Sequence, residues 1–204
     1  MEEEVSKHKH RVIVGLGNPG LSYANTRHNL GKLIVLALAS HLNWTLKKDP
    51  RNNVEDAKGI LDGVNVHLVL PTLYMNESGS AIRKYLSYYR LSVDDLIVVN
   101  DDVALPFGSL RIREGGSSGG HNGLKSIEEH LGTQKYLRLR VGVGQPFEGQ
   151  DLADYVLGKF TQDEASQLPK VLEKGTEALQ QLTKHTVELA MNLVNIKNVS
   201  GVKS

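Results

Sequence analysis

Short apolar runs with the look of buried strands alternate along the chain with longer stretches of helical period, and that alternation leaves few architectures open. Arg11 to Leu16 is a β-branched run ended by glycines, as expected of a buried strand. After the loop 17–28, Leu30, Leu33, Ile34, Ala37, Leu38 and His41 recur at helical spacing and predict a helix. Gly59-Ile60-Leu61, Asp62-Gly63 and Val64 to Leu70 read as a hairpin, because Asp-Gly supplies the positive φ angles of a tight turn. Asn76 to Leu91 is helical by period, with Ala81, Ile82, Tyr85, Leu86 and Tyr89 on one face, and Leu96 to Val99 is another buried strand. Leu110 to Arg113 and Leu137 to Val141 alternate aliphatic residues with arginines, so Arg111 shares a sheet face with Arg113, and Arg138 with Arg140. Between them a glycine-rich loop, 115–123, opens a helix from about Leu124 to Leu131. From about Gln162 the chain is helical, interrupted near Pro169 and fraying after Asn195. The expected fold class is α/β, with a mixed sheet in a sandwich of helices.

At 204 residues the chain suits one domain, placed at 11–195, with flexible tails at 1–10 and 196–204. It has no cysteine, which excludes disulfides, thiol catalysis and cysteine-bound metals. A net charge of +1 means that any basic surface for nucleic acid must be local. No apolar run is long enough for a membrane span, and the acidic start Met1-Glu2-Glu3-Glu4 lacks the look of a signal sequence. A cytoplasmic protein is expected, or an organellar one if a presequence has been trimmed away.

Two motifs promise more than they carry. Gly15-Leu16-Gly17-Asn18-Pro19-Gly20 matches the dinucleotide fingerprint, which requires a helix to start inside it and aim at a pyrophosphate. Pro19 and the polar run Ser22 to Arg27 delay that helix, and no acid follows at the ribose-binding distance. Gly116-Ser117-Ser118-Gly119-Gly120 matches the nucleophile elbow of serine hydrolases, but so many glycines suit a loop that binds phosphate or backbone. His8 and His10 fall in the tail, and no histidine spacing suggests a metal site. Neither a cofactor nor a metal is expected.

What remains is a series of polar residues at the ends of predicted strands: Asn18, His28, Asn76, Asp101 and Asn122. Taken singly, each is better explained as a turn former or helix cap. Five at successive loops point to a site, because strand C-termini form the binding crevice of open α/β sheets.

These residues sit in motifs with a known counterpart. Residues 15–20 with Tyr23 and Thr26-Arg27-His28-Asn29, and Gly115 to Leu124 (GGSSGGHNGL), resemble the two signatures of the bacterial-type peptidyl-tRNA hydrolases. Pro71 to Asn76, Asp101-Asp102, Arg138 to Gly144 and Val156-Leu157-Gly158 extend the resemblance over about residues 11–195. It implies a single three-layer α/β/α domain with a mixed twisted sheet and a C-terminal helical segment flanking the site. It implies hydrolysis of the ester between peptide and tRNA, with peptidyl-tRNA as the partner.

By the same resemblance His28 is the general base and Asp101 orients it. Asn18, Asn76 and Asn122 supply amides to the peptide backbone and carbonyl, and Asn18 tells a blocked amide from a free ammonium. Tyr23, Tyr74 and Met75 contact the terminal adenosine or the peptide, or else are core and rim residues. Gly119, Gly120 and His121 offer backbone contacts to a phosphate or the chain end, and Arg113 and Arg140 grip a tRNA phosphate unless they merely form a solvated face. Asn100, Ala104 and Gln145 depart from the family's pattern around this centre. A monomer is expected. The rivals are a non-catalytic RNA-binding protein on the same fold, as in related splicing factors, and a serine esterase using Ser117 or Ser118.

Overall fold

The computed structural model describes residues 9–196. Seven strands form one sheet in the order β2-β3-β4-β1-β5-β7-β6. Its middle is parallel: β1 (His10–Gly15) lies between β4 (Val64–Pro71) and β5 (Leu96–Asp102), and β7 (Leu137–Gly142) follows β5. The borders are antiparallel, with β2 (Lys47–Asp49) and β3 (Val54–Leu61) at one side and β6 (Leu110–Glu114) at the other. The sheet is therefore mixed, and its parallel strands are near-continuous runs of valine, isoleucine and leucine because both faces are covered.

One face packs against α1 (Leu30–His41), α5 (Gln162–Lys184) and α6 (Val187–Ile196), where Ile34, Leu38, Leu179 and Leu182 meet Ile13, Leu68 and Val99. The other face packs against α2 (Ser78–Tyr89) and α3 (Asn122–Leu131), where Ile82, Tyr85 and Ile127 meet Val12, Val14 and Val98. A short α4 (Leu152–Leu157) precedes α5. The three-layer α/β/α arrangement agrees with expectation. Helix α1 lies so close to the sheet that a Cβ on Gly31 would fall 2.1 Å from the Val99 carbonyl oxygen, which only glycine permits.

The structure adjusts several sequence readings. The hairpin turns at Asp62-Gly63, both at positive φ, but its first strand starts at Val54 and pairs outward with β2, which had no sequence signal. The helix expected from Asn76 begins as a 3-10 turn, Met75–Glu77, before α2. No break occurs at Pro169, which lies exposed within a continuous α5; the carbonyl it deprives of a partner is on the solvent side, where water serves. The break comes instead at His185, between α5 and α6. The expected N-terminal tail is shorter at its inner end, since His10 is already paired in β1. Residues 1–8, with His8, and 197–204 lie outside the described residues.

Behind α2, Tyr85 donates its hydroxyl to Asp56 at 2.7 Å and accepts from His67 Nδ1 at 2.9 Å. Burial, reinforced by the charges of Lys58 and His10, pushes the His67 imidazole down to about 4. The unfolded chain then binds more protons than the folded one between that value and about 6.5, so stability rises with pH across the window and is lost as pH falls through it. The melting temperature of the wild type is expected to drop over this range by several degrees more than that of His67→Phe. Parallel melting curves would refute this role for His67.

Candidate active site

The parallel strands all end toward a cleft of about 840 Å³. Asn18 follows β1, Tyr74 to Asn76 follow β4, Asp101 is the next-to-last residue of β5, and the glycine loop with the N-terminus of α3 forms a further wall. Asn18, His28, Tyr74, Met75, Asn76, Asp101, Arg113, Gly119, Gly120, His121, Asn122 and Arg140 all line it. Tyr23 does not: it sits half-buried in a 3-10 turn, its carbonyl accepting from the Thr26 hydroxyl at 2.9 Å.

At the floor, His28 Nδ1 lies 3.0 and 3.1 Å from the two oxygens of Asp101. An ionised carboxylate only accepts, so the imidazole proton is on Nδ1. Nε2 is left with its lone pair and no hydrogen bond to the described residues, on a side chain that lines the cleft. Burial acts to raise the Asp101 carboxyl, but His121 and His28 together overcome it and hold the group well below the usual carboxylate range. Asp101 is thus an anion at every pH at which the protein works.

His121 is the second partner of that anion. Its Nε2 lies 2.9 Å from Asp101 Oδ1, while its Nδ1 accepts from the backbone N–H groups of Gly123 and Leu124 and so caps α3. The ring contacts that of His28, with centroids 4.7 Å apart. The sequence pointed to His121 only as a substrate contact of the loop. The ligating atoms of His28, Asp101 and His121 lie within 4.8 Å of one another, as a bound cation would require. A metal on His121 Nε2, however, would need a proton on Nδ1, which faces two N–H donors. The hydrogen bonds therefore fit two imidazole donors on one carboxylate better than a ligand set.

The asparagine amides are oriented as well. Asn18 Oδ1 accepts from the Met75 N–H at 2.8 Å, so its NH2 is the end left for the cleft. Asn29 fixes the backbone of Asn18 at both ends, accepting from its N–H at 2.8 Å and donating to its carbonyl at 3.0 Å. Asn29 was visible only as part of a motif, and nothing in its spacing announced this clamp. Asn76 and Asn122 are both exposed in the lining and lie on neighbouring segments, since the 3-10 turn that carries Asn76 packs against α3. At the variant position beside the aspartate, Asn100 is buried and donates to the Asp101 carbonyl at 2.7 Å.

The four arginines do share one sheet face, Arg111 opposite Arg140 and Arg113 opposite Arg138 in the β6–β7 register. Their environments differ. Arg138 is only 3 % exposed and holds the glycine loop through the carbonyls of Gly116 and Ser117, with Glu128 as counter-ion. Arg140 is paired with Asp102 at 2.5 Å. Arg113 is exposed at the cleft with no ion pair among the described residues. Ser117 and Ser118 line the cleft, but neither hydroxyl reaches a histidine. Gly115, Gly116, Gly119 and Gly120 all have positive φ, giving a turning loop rather than an elbow.

The remaining wall is α4, through Asp151, Leu152, Val156 and Leu157. Arg27 ties it down beside the histidine. Its guanidinium pairs with Glu164 at the start of α5 at 2.7 Å, donates to the Tyr155 and Lys159 carbonyls, and stacks 4.4 Å from the Tyr155 ring centre. Among the described residues no helix is long and apolar enough to cross a membrane.

Comparison with known proteins follows the same lines. A family model described as peptidyl-tRNA hydrolase matches residues 12–201. A peptidyl-tRNA hydrolase of Roseiflexus sp. (strain RS-1) is 46% identical over 187 residues, which are 90% of this chain and 85% of that protein. One from Bacillus subtilis is 43% identical, covering 91% of this chain and 98% of its own. A crystal structure of peptidyl-tRNA hydrolase from Acinetobacter baumannii superimposes with a TM-score of 0.86 at 35% identity, over 93% of this chain and 97% of that one.

Proposed function

The chain belongs to the peptidyl-tRNA hydrolase family, and from that premise we propose that it cleaves the ester between peptide and tRNA with His28 as general base. The observation that carries the assignment of the base is the His28–Asp101 pair, which leaves Nε2 as a lone-pair donor at the floor of the cleft. His28 Nε2 takes a proton from water as the water oxygen attacks the ester carbonyl carbon. The carbonyl oxygen gains negative charge, which neutral amide N–H groups from Asn18, Asn76 and Asn122 stabilise. When the tetrahedral adduct collapses, the imidazolium returns its proton to the departing ribose oxygen, giving free tRNA and a peptide acid. The Asp101 carboxylate faces the imidazolium throughout and keeps the ring from turning. No metal or cofactor takes part.

The Asn18 amide rejects substrates that carry a free α-ammonium, because its outward NH2 is a donor and offers that cation no acceptor. Tyr74, Met75, Gly119 and Gly120 bound the space for peptide and terminal adenosine, and Arg113 with Arg140 holds a phosphate of the acceptor end. The protein acts as a monomer in the cytoplasm or in an organelle of similar chemistry.

The test is release of N-acetylaminoacyl groups from tRNA, with unblocked aminoacyl-tRNA as control. Release is expected to be about a hundredfold or more slower on the control, as for sites built around a fixed hydrogen-bond pattern. The Ser117→Ala/Ser118→Ala variant should retain activity, which a serine esterase would lose. Well-folded protein that binds tRNA but releases nothing would overturn the enzyme in favour of a binding protein.

A further inference from the structure

We infer that the exposed face of α2 is a second RNA-backbone site, separate from the cleft, which takes phosphates in the body of the tRNA. The inference rests on the hydrolase reading only for the identity of the RNA.

Ser80, Arg83, Lys84, Ser87 and Tyr88 fall at helical spacing on one side of α2, opposite the buried Ala81, Ile82, Tyr85 and Leu86. A solvated helix face ordinarily mixes signs, with acids a turn away from the bases. Helix α2 contains no acid at all, and among the described residues neither Arg83 nor Lys84 makes an ion pair. In a chain whose net charge is only +1, this is a local concentration of positive charge.

The face is also shaped. It walls a shallow depression of about 620 Å³, closed by Arg51 on one side and His130 of α3 on the other, with no carboxylate in the lining. Arg51 is held in place: its guanidinium lies 4.9 Å from the Tyr88 ring centre, bonds the Tyr88 hydroxyl at 2.9 Å, and leans on Asp49 at 3.6 Å. Tyr88 remains 51% exposed and offers the edge of a stacking surface. His130 donates Nδ1–H to the Ser126 carbonyl at 2.8 Å, so its Nε2 is left as an acceptor for a ribose hydroxyl. Exposed cations, serine hydroxyls and one exposed aromatic suit a ribose-phosphate chain. A protein partner would call for a larger apolar centre, and a membrane for apolar side chains to insert.

The position suits the body of the tRNA. Asn76 in the cleft wall lies just before α2, and the helical rise puts Tyr88 only ~18 Å further along. An RNA held by its end in the cleft reaches well beyond that distance.

The experiment compares wild type with the Arg83→Glu/Lys84→Glu variant on two substrates. One is full-length N-acetylaminoacyl-tRNA, the other the same group on a CCA trinucleotide. For full-length substrate KM is expected to rise ~10-fold at moderate salt with kcat within about twofold, and the dependence of KM on salt to become shallower. For the trinucleotide neither constant should change. An equal effect on both substrates, or none on either, overturns the proposal. Binding of uncharged tRNA by the same variant is read independently of turnover: a weakened Kd upholds the site even if the hydrolase reading fails, and an unchanged Kd overturns it even if that reading stands. Arg83→Gln/Lys84→Gln, with an expected effect of about threefold, serves if the charge reversal impairs folding.

Discussion

His28→Ala is expected to lower kcat on N-acetylaminoacyl-tRNA by about 10³- to 10⁴-fold with little change in KM, near the upper end of what a positioned general base supplies. That loss corresponds to about 4–5.5 kcal/mol of barrier. It falls on kcat because Nε2 acts on the attacking water, while the peptide and the nucleotide are held by other groups. Asp101→Asn should come within about tenfold of the same loss, although its side chain keeps the shape. The carboxylate accepts from both His28 Nδ1 and His121 Nε2. Oδ1 alone lies within reach of both rings and Oδ2 lies 3.1 Å from His28 Nδ1, so an amide NH2 in either place meets a ring nitrogen. If that ring is His28, the proton moves to Nε2 and the base is lost. If it is His121, the α3 cap at Gly123 and Leu124 is disturbed. The double variant should be little worse than either single one, since both remove the same function. Steady-state kinetics with melting curves for each variant decide the matter, and a His28→Ala enzyme at wild-type kcat would sink the assignment.

The same anion fixes how the centre responds to acid. The Asp101 carboxyl is depressed in the folded state, so its contribution to stability is complete above the unfolded value near 3.9 and is lost only as pH falls through the folded value. Acid therefore neutralises Asp101 later than it destabilises the His67 region, where stability starts to fall below about 6.5.

The strand and helix alternation was legible because a parallel sheet buried on both faces leaves uninterrupted β-branched runs, as in Val12 to Val14 and Ile97 to Val99. The glycine loop and the polar strand ends were legible for a similar reason: each obeys a local rule. What the sequence did not disclose depends on contacts between distant segments. Wall helix α4 is six residues long and keeps Leu152 and Leu157 partly exposed, so it has neither the length nor the period of a recognisable helix. Alternation put Arg138 and Arg140 on one face, yet the two part company because Glu128 and two loop carbonyls meet only the first. The link from His121 to Asp101 spans 20 residues and arises only once β5 and α3 are packed. Pro169 was misread as a break because exposure, which lets water replace the missing bond, is not written in the local sequence.

Arg27→Met is expected to cost about 3–5 kcal/mol, the usual penalty for removing one partner of a buried ion pair. Arg27 is almost wholly buried between the His28 turn, α4 and α5. Methionine can fill part of the volume but leaves the Glu164 carboxylate without its cation, takes the Arg27 donor from the Lys159 carbonyl, and leaves the Tyr155 carbonyl only its bond from the Gly158 N–H. For a domain of this size the melting temperature should fall by roughly 10 °C or more. Arg27→Lys should recover little, because an ammonium cannot reach a carboxylate and two carbonyls in fixed directions as the planar guanidinium does. Adding Glu164→Gln to Arg27→Met should return about 1–3 kcal/mol by relieving the stranded charge. The return is incomplete because Glu164 also accepts from the Thr161 N–H at 2.7 Å, at the start of α5. Arg27 is the residue before the base, and its backbone N–H bonds the Gly158 carbonyl at the end of α4. Loosening it should therefore raise KM as well, by letting that wall move away from the cleft. If Arg27→Met melts within about 2 °C of wild type, the Arg27–Glu164 pair does not stabilise the fold. If it melts lower but keeps its KM, α4 is anchored by its other contacts and Arg27 serves the fold alone.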